Sequence, residues 1–419
     1  MSKVLKYKIR KKLISEYINL LSRDDLKEHD LRAIIGRLID EIISHEHISL
    51  SDSEKEKVTN EIVNDFLGFG PIDKLLRDPE ITEIMVNGPD NVYVERKGNI
   101  EFTGITFDDE QHLMYFIQKF LIPTRRRVDE SYPYTDVALK DGSRVNIIIP
   151  PLALNGPTVT IRKFLRNIKS AEDLIQLGTL DKRMADFLIA SIKARINIIF
   201  SGATGAGKTT TVNVLSSYIS ENERIITIED TAELVLSQRH VVRLETRQPN
   251  IEGKGEITIR DLFKNSLRMR PDRIIFGEIR GGEALDMLQA MCSGHRGALC
   301  VLHANSPQDV IYRIETMILT SGLSISLEAI HRQIAAAIHL IVQQEQLSDG
   351  SRKITHITQI NGIKEGEVVL EDIFVYEQEG IDSEGKIRPR WRATGVIPVF
   401  YLLFKKEGVD LPLEIFEKG

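Results

Sequence analysis

The chain contains 419 residues, of which 42% are hydrophobic and 28% are charged. This composition is ordinary for a globular protein, and the length predicts two or three domains. The formal net charge of −6 argues against a general nucleic-acid-binding protein, which needs a basic surplus to displace counterions from phosphates. The two cysteines exclude a disulfide framework, and no apolar stretch reaches the roughly 18 residues of a membrane-spanning helix. We therefore expect a cytoplasmic protein whose contact with a membrane is peripheral.

The first 65 residues follow a helical pattern. Between residues 4 and 47, apolar side chains recur at the spacing that places them on one helix face: Leu31, Ile34, Ile35, Leu38, Ile39 and Ile42. Ser51 and Glu54 form a capping-box signature for a further helix that ends near Phe66. Residues 1–65 are therefore expected to form a small helical bundle. Its basic N-terminal tip is either a solvated helix face or a contact for anionic lipid or a partner.

Residues 66–165 show a mixed pattern that predicts an α+β domain. Two β-hairpins are indicated, one turning at residues 97–99 and the other at Asp141-Gly142. Between them, Asp108 or Asp109 is expected to cap a helix, and residues 159–162 are expected to form the last strand.

Residues 166–419 alternate between strand and helix patterns until about residue 344, which predicts a parallel α/β sheet. The expected strands are 196–200, 225–229, 240–244, 273–278, 298–303 and 338–343. The charge-rich tail is expected to add an antiparallel hairpin around residues 348–351.

Residues 202–209 read Gly-Ala-Thr-Gly-Ala-Gly-Lys-Thr and lie between a predicted strand and a helix predicted over 210–220. In that context, this P-loop motif cradles phosphates with backbone N–H groups, and the helix N-terminus adds partial positive charge. Lys208 is expected to reach the β- and γ-phosphates, and Thr209 to take one Mg²⁺ position. The predicted nucleotide-binding residues here are Gly202, Ala203, Thr204, Gly205, Ala206, Gly207, Lys208, Thr209 and Thr210.

Two further predicted strands end in carboxylates, Glu229 and Asp230 on one and Glu278 on the other. In an open α/β sheet, ligands bind beyond the carboxyl ends of the strands. Glu278 is the candidate base that activates water, and Glu229 is a second catalytic candidate. Thr209, Glu229, Asp230 and Glu278 are candidate Mg²⁺ ligands, directly or through water. Gly277 stands where a usual Walker B motif has aspartate, so the sequence leaves open which carboxylate contacts the metal.

His295 and His303 flank the strand predicted over 298–303. A histidine at the carboxyl end of a strand can donate to a γ-phosphate oxygen and respond to its loss. His303 is therefore a candidate catalytic residue, and His295 a candidate nucleotide contact. Cys292 and Cys300 lie nearby, but the spacing of these four residues is not a usual zinc pattern. Two thiols beside a loop are the simpler interpretation.

In this order, the motifs resemble those of the type II/type IV secretion ATPase superfamily. Residues 202–209, 228–230, 275–284 and 294–305 resemble its Walker A motif, Asp box, atypical Walker B motif and His box. Other stretches resemble the Tad/Flp pilus assembly branch: 68–72, 83–89, 127–133, 242–247 and 267–273. The chain lacks the four-cysteine zinc module usual in general secretory members, which also favours this branch.

The resemblance implies a RecA-like P-loop NTPase domain in a homo-hexameric ring at the cytoplasmic face of an inner membrane. Such a ring hydrolyses ATP with Mg²⁺ and moves a membrane platform protein that inserts or extracts pilin subunits. It also implies that arginines of the N-terminal domain approach the phosphates, and the matching positions are Arg144 and Arg162. Arginine suits this role because its planar cation matches developing phosphoryl charge. Arg127 and Arg280 are weaker candidates, and residues 163–172 would be the hinge.

Three functions remain open at this point. The favoured one is a motor ATPase for pilus assembly or type II/IV-like secretion. The alternative is a nucleic-acid translocase or the export ATPase of a conjugation-type system. A nucleic-acid channel calls for basic residues with interleaved aromatics, whereas this chain is acidic and has only Trp391 as tryptophan. The third is a nucleotide-binding scaffold without turnover, and Lys208 and Glu278 argue against it.

Overall fold

The computed structural model describes residues 2–21, 27–46, 49–96, 98–124, 126–139, 141–163, 168–247, 249, 254–292, 294, 296–381 and 387–418. The chain divides into two compact units, Met1–Leu165 and Arg166–Gly419. None of the described helices has the length and apolar character needed to cross a membrane.

The first unit combines helices with a six-stranded sheet. Its helices are α1 (Ser2–Leu21), α2 (Glu28–Glu46), α3 (Asp52–Leu67), α4 (Asp73–Arg77) and α5 (Glu110–Leu121). Its strands are β1 (Ile81–Asn87), β2 (Val92–Arg96), β3 (Asn99–Phe102), β4 (Tyr134–Ala138), β5 (Arg144–Ile148) and β6 (Thr158–Arg162). The strand order is β3-β2-β1-β6-β5-β4, and all neighbours are antiparallel. Both predicted hairpins are present, as β2–β3 and β4–β5.

One apolar core joins these helices to the sheet. The predicted apolar stripe of α2 is buried, and Phe66 of α3 packs against Tyr115 and Phe116 of α5. The predicted helix start at Ser51 is a capping box, as expected from the sequence. The helical segment and the sheet therefore stabilise each other, because they share the same buried surface.

Several basic side chains of α1 form ion pairs with acidic residues of the same unit. These ion pairs join Lys6 to Glu61, Lys12 to Glu41, and Arg10 to both Asp65 and Asp108. These pairs direct the positive charge of α1 toward neighbouring elements, so they weaken the case for this helix as a basic lipid-binding face.

The second unit is built on a nine-stranded sheet. Its strands are β7 (Ile198–Ser201), β8 (Ile225–Glu229), β9 (Val241–Glu245), β10 (Arg273–Phe276), β11 (Leu299–Leu302), β12 (Leu340–Gln346), β13 (Arg352–Lys364), β14 (Glu367–Ile381) and β15 (Ile387–Ala393). Its helices are α6 (Ala171–Gln176), α7 (Lys182–Lys193), α8 (Lys208–Ser216), α9 (Ile259–Ser266), α10 (Glu283–Cys292), α11 (Pro307–Thr320), α12 (Leu327–Ala337) and α13 (Tyr401–Lys406).

Six strands of this sheet run parallel, in the order β12-β7-β11-β10-β8-β9. Both faces are covered: Ile198 and Phe200 of β7 belong to the apolar core on one face, and Ile199 belongs to the core on the other. Strands buried on both faces read as continuous apolar runs, which is why the sequence revealed them. The predicted α/β class, with a largely parallel sheet and the glycine-rich turn between β7 and α8, is confirmed.

The strand boundaries differ from expectation by up to three residues, and α8 and the tail also differ. Helix α8 begins at Lys208 and ends at Ser216, so it starts and ends earlier than the predicted 210–220. The tail forms three antiparallel strands, β13, β14 and β15, where the sequence predicted one hairpin. Their charged residues lower the intrinsic strand preference, so their conformation is decided by pairing, of β13 with β12, β14 with β13 and β15 with β14.

His331 of α12 joins three elements of the second unit. Its Nε2 lies 2.8 Å from Glu315 Oε1 of α11, and its Nδ1 lies 2.5 Å from the Gly366 carbonyl oxygen between β13 and β14. Both partners accept hydrogen bonds, so we assign a proton to each ring nitrogen, which makes the ring positively charged. Burial lowers the pKa of His331, but the bonds to Gly366 and Glu315 outweigh it and raise the pKa above 6.5.

We expect the stability contributed by His331 to be complete below its unfolded-state pKa and to be lost as pH rises through its higher folded-state pKa. Wild type should therefore melt about 2–4 °C above His331→Gln near pH 6, and the difference should shrink near pH 9. Thermal melts at both pH values measure this. His29→Gln is the control, because the His29 side chain is 93% exposed. A difference that stays constant with pH would contradict the charged state.

Candidate nucleotide site

The glycine-rich turn connects β7 to α8. Gly207 has a φ of +96° and immediately precedes Lys208, the first residue of α8, and Gly205 has a φ of +81°. These angles favour glycine because a Cβ would be strained there. The chain therefore doubles back at once and begins a helix whose first N–H groups face the turn, which is an arrangement that binds anions. All nine residues predicted from Gly202 to Thr210 lie in this turn and the start of α8.

Lys208 is buried beneath the turn, with 6% of its surface exposed. Its Nζ donates to the carbonyl oxygens of Gly202 at 2.9 Å and Ala203 at 2.8 Å, and lies 3.4 Å from His303 Nδ1. Charged phosphate oxygens are stronger acceptors than carbonyls. Lys208 is therefore held where it can exchange these partners for a phosphate.

His303, immediately after β11, connects Lys208 to Glu278. Because an ammonium group only donates, we assign His303 Nδ1 as the acceptor and Nε2 as the protonated nitrogen. Nε2 lies 3.1 Å from Glu278 Oε1, and Arg280 Nη2 donates to Glu278 Oε2 at 2.7 Å. The structure thus brings together two of the predicted catalytic residues, Glu278 and His303, with the P-loop lysine.

Both oxygens of Glu278 are engaged, and its pKa reflects this. Burial raises the pKa of Glu278, but the hydrogen bonds from His303 and Arg280, with the charge of Arg280, bring it down to about 2. The carboxylate is therefore ionised at neutral pH and held by two donors. Arg280, a weaker candidate for contacting phosphate, here contacts the predicted base.

Glu229 ends β8 and is directed into the protein, with 2% of its surface exposed. Its Oε2 accepts from the backbone N–H groups of Glu233 at 2.6 Å and Leu234 at 2.9 Å. Its Oε1 has no hydrogen-bond partner within the described part of the chain. Burial raises the pKa of Glu229 to about 7, although the two backbone bonds oppose this. Glu229 therefore shapes the loop that follows β8.

Gly277 provides the space for that side chain. A Cβ at position 277 would lie 2.6 Å from Glu229 Cγ, far closer than carbon atoms pack. The glycine that replaces the usual Walker B aspartate therefore has a steric reason. It keeps the buried carboxyl of Glu229 beside the strand that leads to Glu278.

Asp230 lies next to Glu229 but faces a different neighbour. Thr246 Oγ1 donates to the Asp230 carbonyl oxygen at 3.1 Å and lies 3.4 Å from its Oδ1. Burial raises the pKa of Asp230 above its ordinary value, although the nearby charge of Arg280 opposes this. Asp230 is thus close to the Glu278–Arg280 pair, but no described hydrogen bond joins it to the P-loop.

Glu233 is a site residue that the sequence reasoning missed. Its Oε2 accepts from Thr209 Oγ1 at 3.2 Å, so it is the carboxylate in contact with the P-loop hydroxyl. The available signal was its place four residues after Glu229, but spacing alone does not show that the loop folds back. The two bonds from Glu229 to this loop are what bring Glu233 to Thr209.

The donor set suits Mg²⁺ bound together with a nucleotide. Among the described residues, no group of three or more His, Cys, Asp or Glu side chains could hold a metal ion by itself. Mg²⁺ keeps several waters and uses one or two protein ligands plus substrate phosphates, so it needs no such group. Thr209 supplies a hydroxyl at the start of α8, and Glu233 supplies a carboxylate beside it. Asp230 and Glu278 lie just after the carboxyl ends of β8 and β10.

Arg144 and Arg162 belong to the first unit. They lie directly opposite each other on β5 and β6, and Glu83 of β1 is opposite Arg162 on its other side. Like charges paired in this way repel, and the carboxyl group of Glu83 beside Arg162 offsets part of this repulsion. Arg127 lies 5.4 Å from the centre of the Tyr132 ring. His295 and residues 164–167 of the expected hinge 163–172 are outside the described residues.

A family model described as "Type II/IV secretion system protein" matches residues 65–384. This chain belongs to that family. The match includes the P-loop, Glu229, Glu233, Glu278 and His303, and ends just before β15. The four motifs in the sequence also predict membership of the type II/IV secretion system family.

Two sequence relatives agree with this assignment. A putative conjugal transfer protein of Mycobacterium tuberculosis is 32% identical over 314 residues, covering 74% of this chain and 89% of that protein. The type IV secretion system protein VirB11 of Brucella suis is 30% identical over 318 residues, covering 69% of this chain and 88% of that protein. The solved structure of the Brucella suis VirB11 ATPase is 29% identical, covers 69% of this chain and 92% of that one, and has a TM-score of 0.38.

We expect Gly277→Ala to slow ATP hydrolysis by about tenfold or more, because the added Cβ displaces Glu229 and, through it, the loop that carries Glu233. ADP affinity should change by less than about threefold, since the P-loop is untouched. Phosphate release and ADP titration measure the two quantities. Gly36→Ala on α2 is the control, because no atom lies within 4 Å of a Cβ there. Unchanged turnover in Gly277→Ala would show that the position of Glu229 is irrelevant to catalysis.

Proposed function

We propose that this chain is a Mg²⁺-dependent ATPase that acts as a homo-hexameric motor at the inner membrane and powers Tad/Flp-type pilus assembly. The observation that carries the proposal is the contact chain from Lys208 through His303 to Glu278, inside the segment matched by the family model. These contacts link the cation that would hold the γ-phosphate to the carboxylate that would activate water.

The first step is the exchange of partners at Lys208. A triphosphate offers charged oxygens in place of the Gly202 and Ala203 carbonyls, and charge-assisted hydrogen bonds are the stronger ones. The backbone N–H groups at the start of α8 complete the cradle. When Lys208 turns to the phosphate, His303 Nδ1 loses its donor.

The second step frees the base. With a pKa of about 2, Glu278 is a weak proton acceptor while His303 and Arg280 hold it. A His303 ring that turns to the γ-phosphate leaves Glu278 Oε1 open to a water molecule. Departure of Arg280 would raise the pKa of Glu278 further toward that of a useful base. Triphosphate binding thereby switches on the group that accepts the proton from water.

Thr209 and Glu233 would hold Mg²⁺, with Asp230 acting through water. When bound there, the metal would neutralise part of the phosphate charge. Glu229 keeps Glu233 in place through the backbone bonds described above. Arg144 and Arg162 would add positive charge to the transferred phosphoryl group, as an arginine finger does.

The proposed work is movement of an inner-membrane platform protein. Five stretches of the sequence that resemble the Tad/Flp branch support a pilus motor, among them residues 68–72, 127–133 and 267–273. Complementation of a gene deletion in the native cell tests this role. Wild type should restore surface pili and Glu278→Gln should not. If the two proteins restored pili equally well, the proposed motor role would be refuted.

An export ATPase of a conjugation-type system is the second candidate, because a relative in Mycobacterium tuberculosis is named a putative conjugal transfer protein. The two candidates differ in their response to nucleic acid. Hydrolysis by a DNA-export motor should rise with single-stranded DNA in the absence of membrane partners. The net charge of −6 leads us to expect no such stimulation.

Two substitutions separate binding from chemistry. Lys208→Ala should weaken ATP affinity by about tenfold or more, because a buried charge-assisted contact to phosphate is lost. Glu278→Gln should bind ATP normally but hydrolyse it about 100-fold more slowly, because water lacks its base. ATP titration and phosphate release measure these effects, with Lys193→Ala on the surface of α7 as control. Full turnover by Glu278→Gln would move the base elsewhere.

Arg144→Ala and Arg162→Ala should each lower kcat by about 100-fold and leave ADP affinity within about threefold, because phosphoryl charge develops only during reaction. Steady-state kinetics and ADP titration measure kcat and ADP affinity. Arg77→Ala is the control, because the Arg77 side chain on α4 is 78% exposed. Equal losses of binding and turnover would instead indicate damage to the β5–β6 pair.

A further inference from the structure

The hairpin formed by β12 and β13 packs on the P-loop. Gln343 Oε1 accepts from Ser201 Oγ at 2.5 Å, on the strand that enters the loop. Gln344 Oε1 accepts from Thr211 Oγ1 at 2.8 Å, on the helix that leaves it. The hairpin is therefore attached on both sides of the phosphate-binding turn, by two adjacent side chains of β12.

The approach is close enough to exclude side chains from the turn. A Cβ at Gly202 would lie 2.1 Å from the Gln344 carbonyl oxygen. A Cβ at Gly207 would lie 2.9 Å from Gln344 Nε2 and 3.2 Å from Arg352 Cδ. These two glycines thus serve the packing of the hairpin as well as the approach of phosphate.

Arg352, the first residue of β13, contacts the apex of the turn. Its Nε donates to the Gly205 carbonyl oxygen at 2.8 Å. In a trans peptide, the carbonyl and the next N–H point in opposite directions, so this bond fixes where the Ala206 N–H points. A charged donor on the carbonyl also polarises the peptide and strengthens that N–H as a donor. The Ala206 N–H now meets the Ala203 carbonyl oxygen at 3.3 Å, a long bond that a phosphate oxygen could replace.

The other side of the hairpin is fixed by the C-terminal strands. Lys353 Nζ donates to the Gly178 carbonyl oxygen at 2.6 Å and lies 5.8 Å from the centre of the Trp391 ring. Trp391 Nε1 of β15 donates to the Ile354 carbonyl oxygen at 2.9 Å. The position of Arg352 is therefore set by the antiparallel extension, which lies outside the P-loop motif in the sequence.

We infer that Arg352 is a positioning residue of the nucleotide site, which orients the Gly205–Ala206 peptide so that its N–H receives a phosphate oxygen. The inference rests on the proposed nucleotide function and assigns the extension β13–β15 a part in it. The extension thereby sets nucleotide affinity through one hydrogen bond to the loop backbone.

Two substitutions distinguish a positioned donor from a cation acting by charge. Arg352→Gln keeps an N–H donor bonded to Cδ, as Arg352 Nε is, and removes the charge. Arg352→Met removes both. We expect Arg352→Met to weaken ADP affinity and raise the KM for ATP, each by about tenfold, with kcat within about threefold of wild type. Arg352→Gln should stay within about threefold of wild type in all three quantities.

Calorimetric titration of ADP and steady-state phosphate release provide these numbers, and thermal melts confirm folding. Arg392→Gln is the matched control, because Arg392 lies on the same extension and pairs with Glu377 at 2.8 Å. Wild-type affinity in Arg352→Met would overturn the inference, as would equal losses in both variants. If Arg352→Met does not fold, Arg352→Gln decides: near-wild-type affinity supports the inference and a tenfold loss overturns it. Failure of wild type to bind ADP would instead refute the proposed function itself.

Discussion

A single imidazole ring joins the lysine of the P-loop to the carboxylate that we propose activates water. His303 accepts from Lys208 on one nitrogen and donates to Glu278 on the other, so a change at either end removes one partner of the ring. The geometry depends on strand order: β11 lies between β7, which leads to the lysine, and β10, which leads to the carboxylate. A residue at the carboxyl end of β11 is therefore the one placed to bridge them.

Two carboxylates of the site have opposite environments. Glu278 is held by a histidine and an arginine, which keep its pKa at about 2. Glu229 is buried with one oxygen unpaired among the described residues, and its pKa rises to about 7. Paired groups whose pKa values are driven apart commonly divide the chemical roles between them. Here Glu278 is held by His303 and Arg280 after β10, whereas Glu229 supports the loop that brings Glu233 to Thr209.

Glycines of the site are fixed by close packing as well as by backbone conformation. Gly277 leaves room for Glu229, and Gly202 and Gly207 leave room for the β12–β13 hairpin. In each case the neighbour comes from a distant part of the chain. The P-loop is therefore supported from two directions, by the loop after β8 through Glu233 and by the C-terminal extension through Gln344 and Arg352.

The sequence alone determined the parallel sheet, the P-loop, and the candidates Lys208, Glu278 and His303. It could do so because apolar strand runs, a glycine-rich turn and residues at strand ends are local patterns. Only the tertiary structure decided that Glu229 turns inward, that Glu233 reaches Thr209, and that Arg352 contacts Gly205. Those contacts join segments far apart in the chain or depend on how a loop folds back, and the spacing of residues within one helix or strand encodes neither.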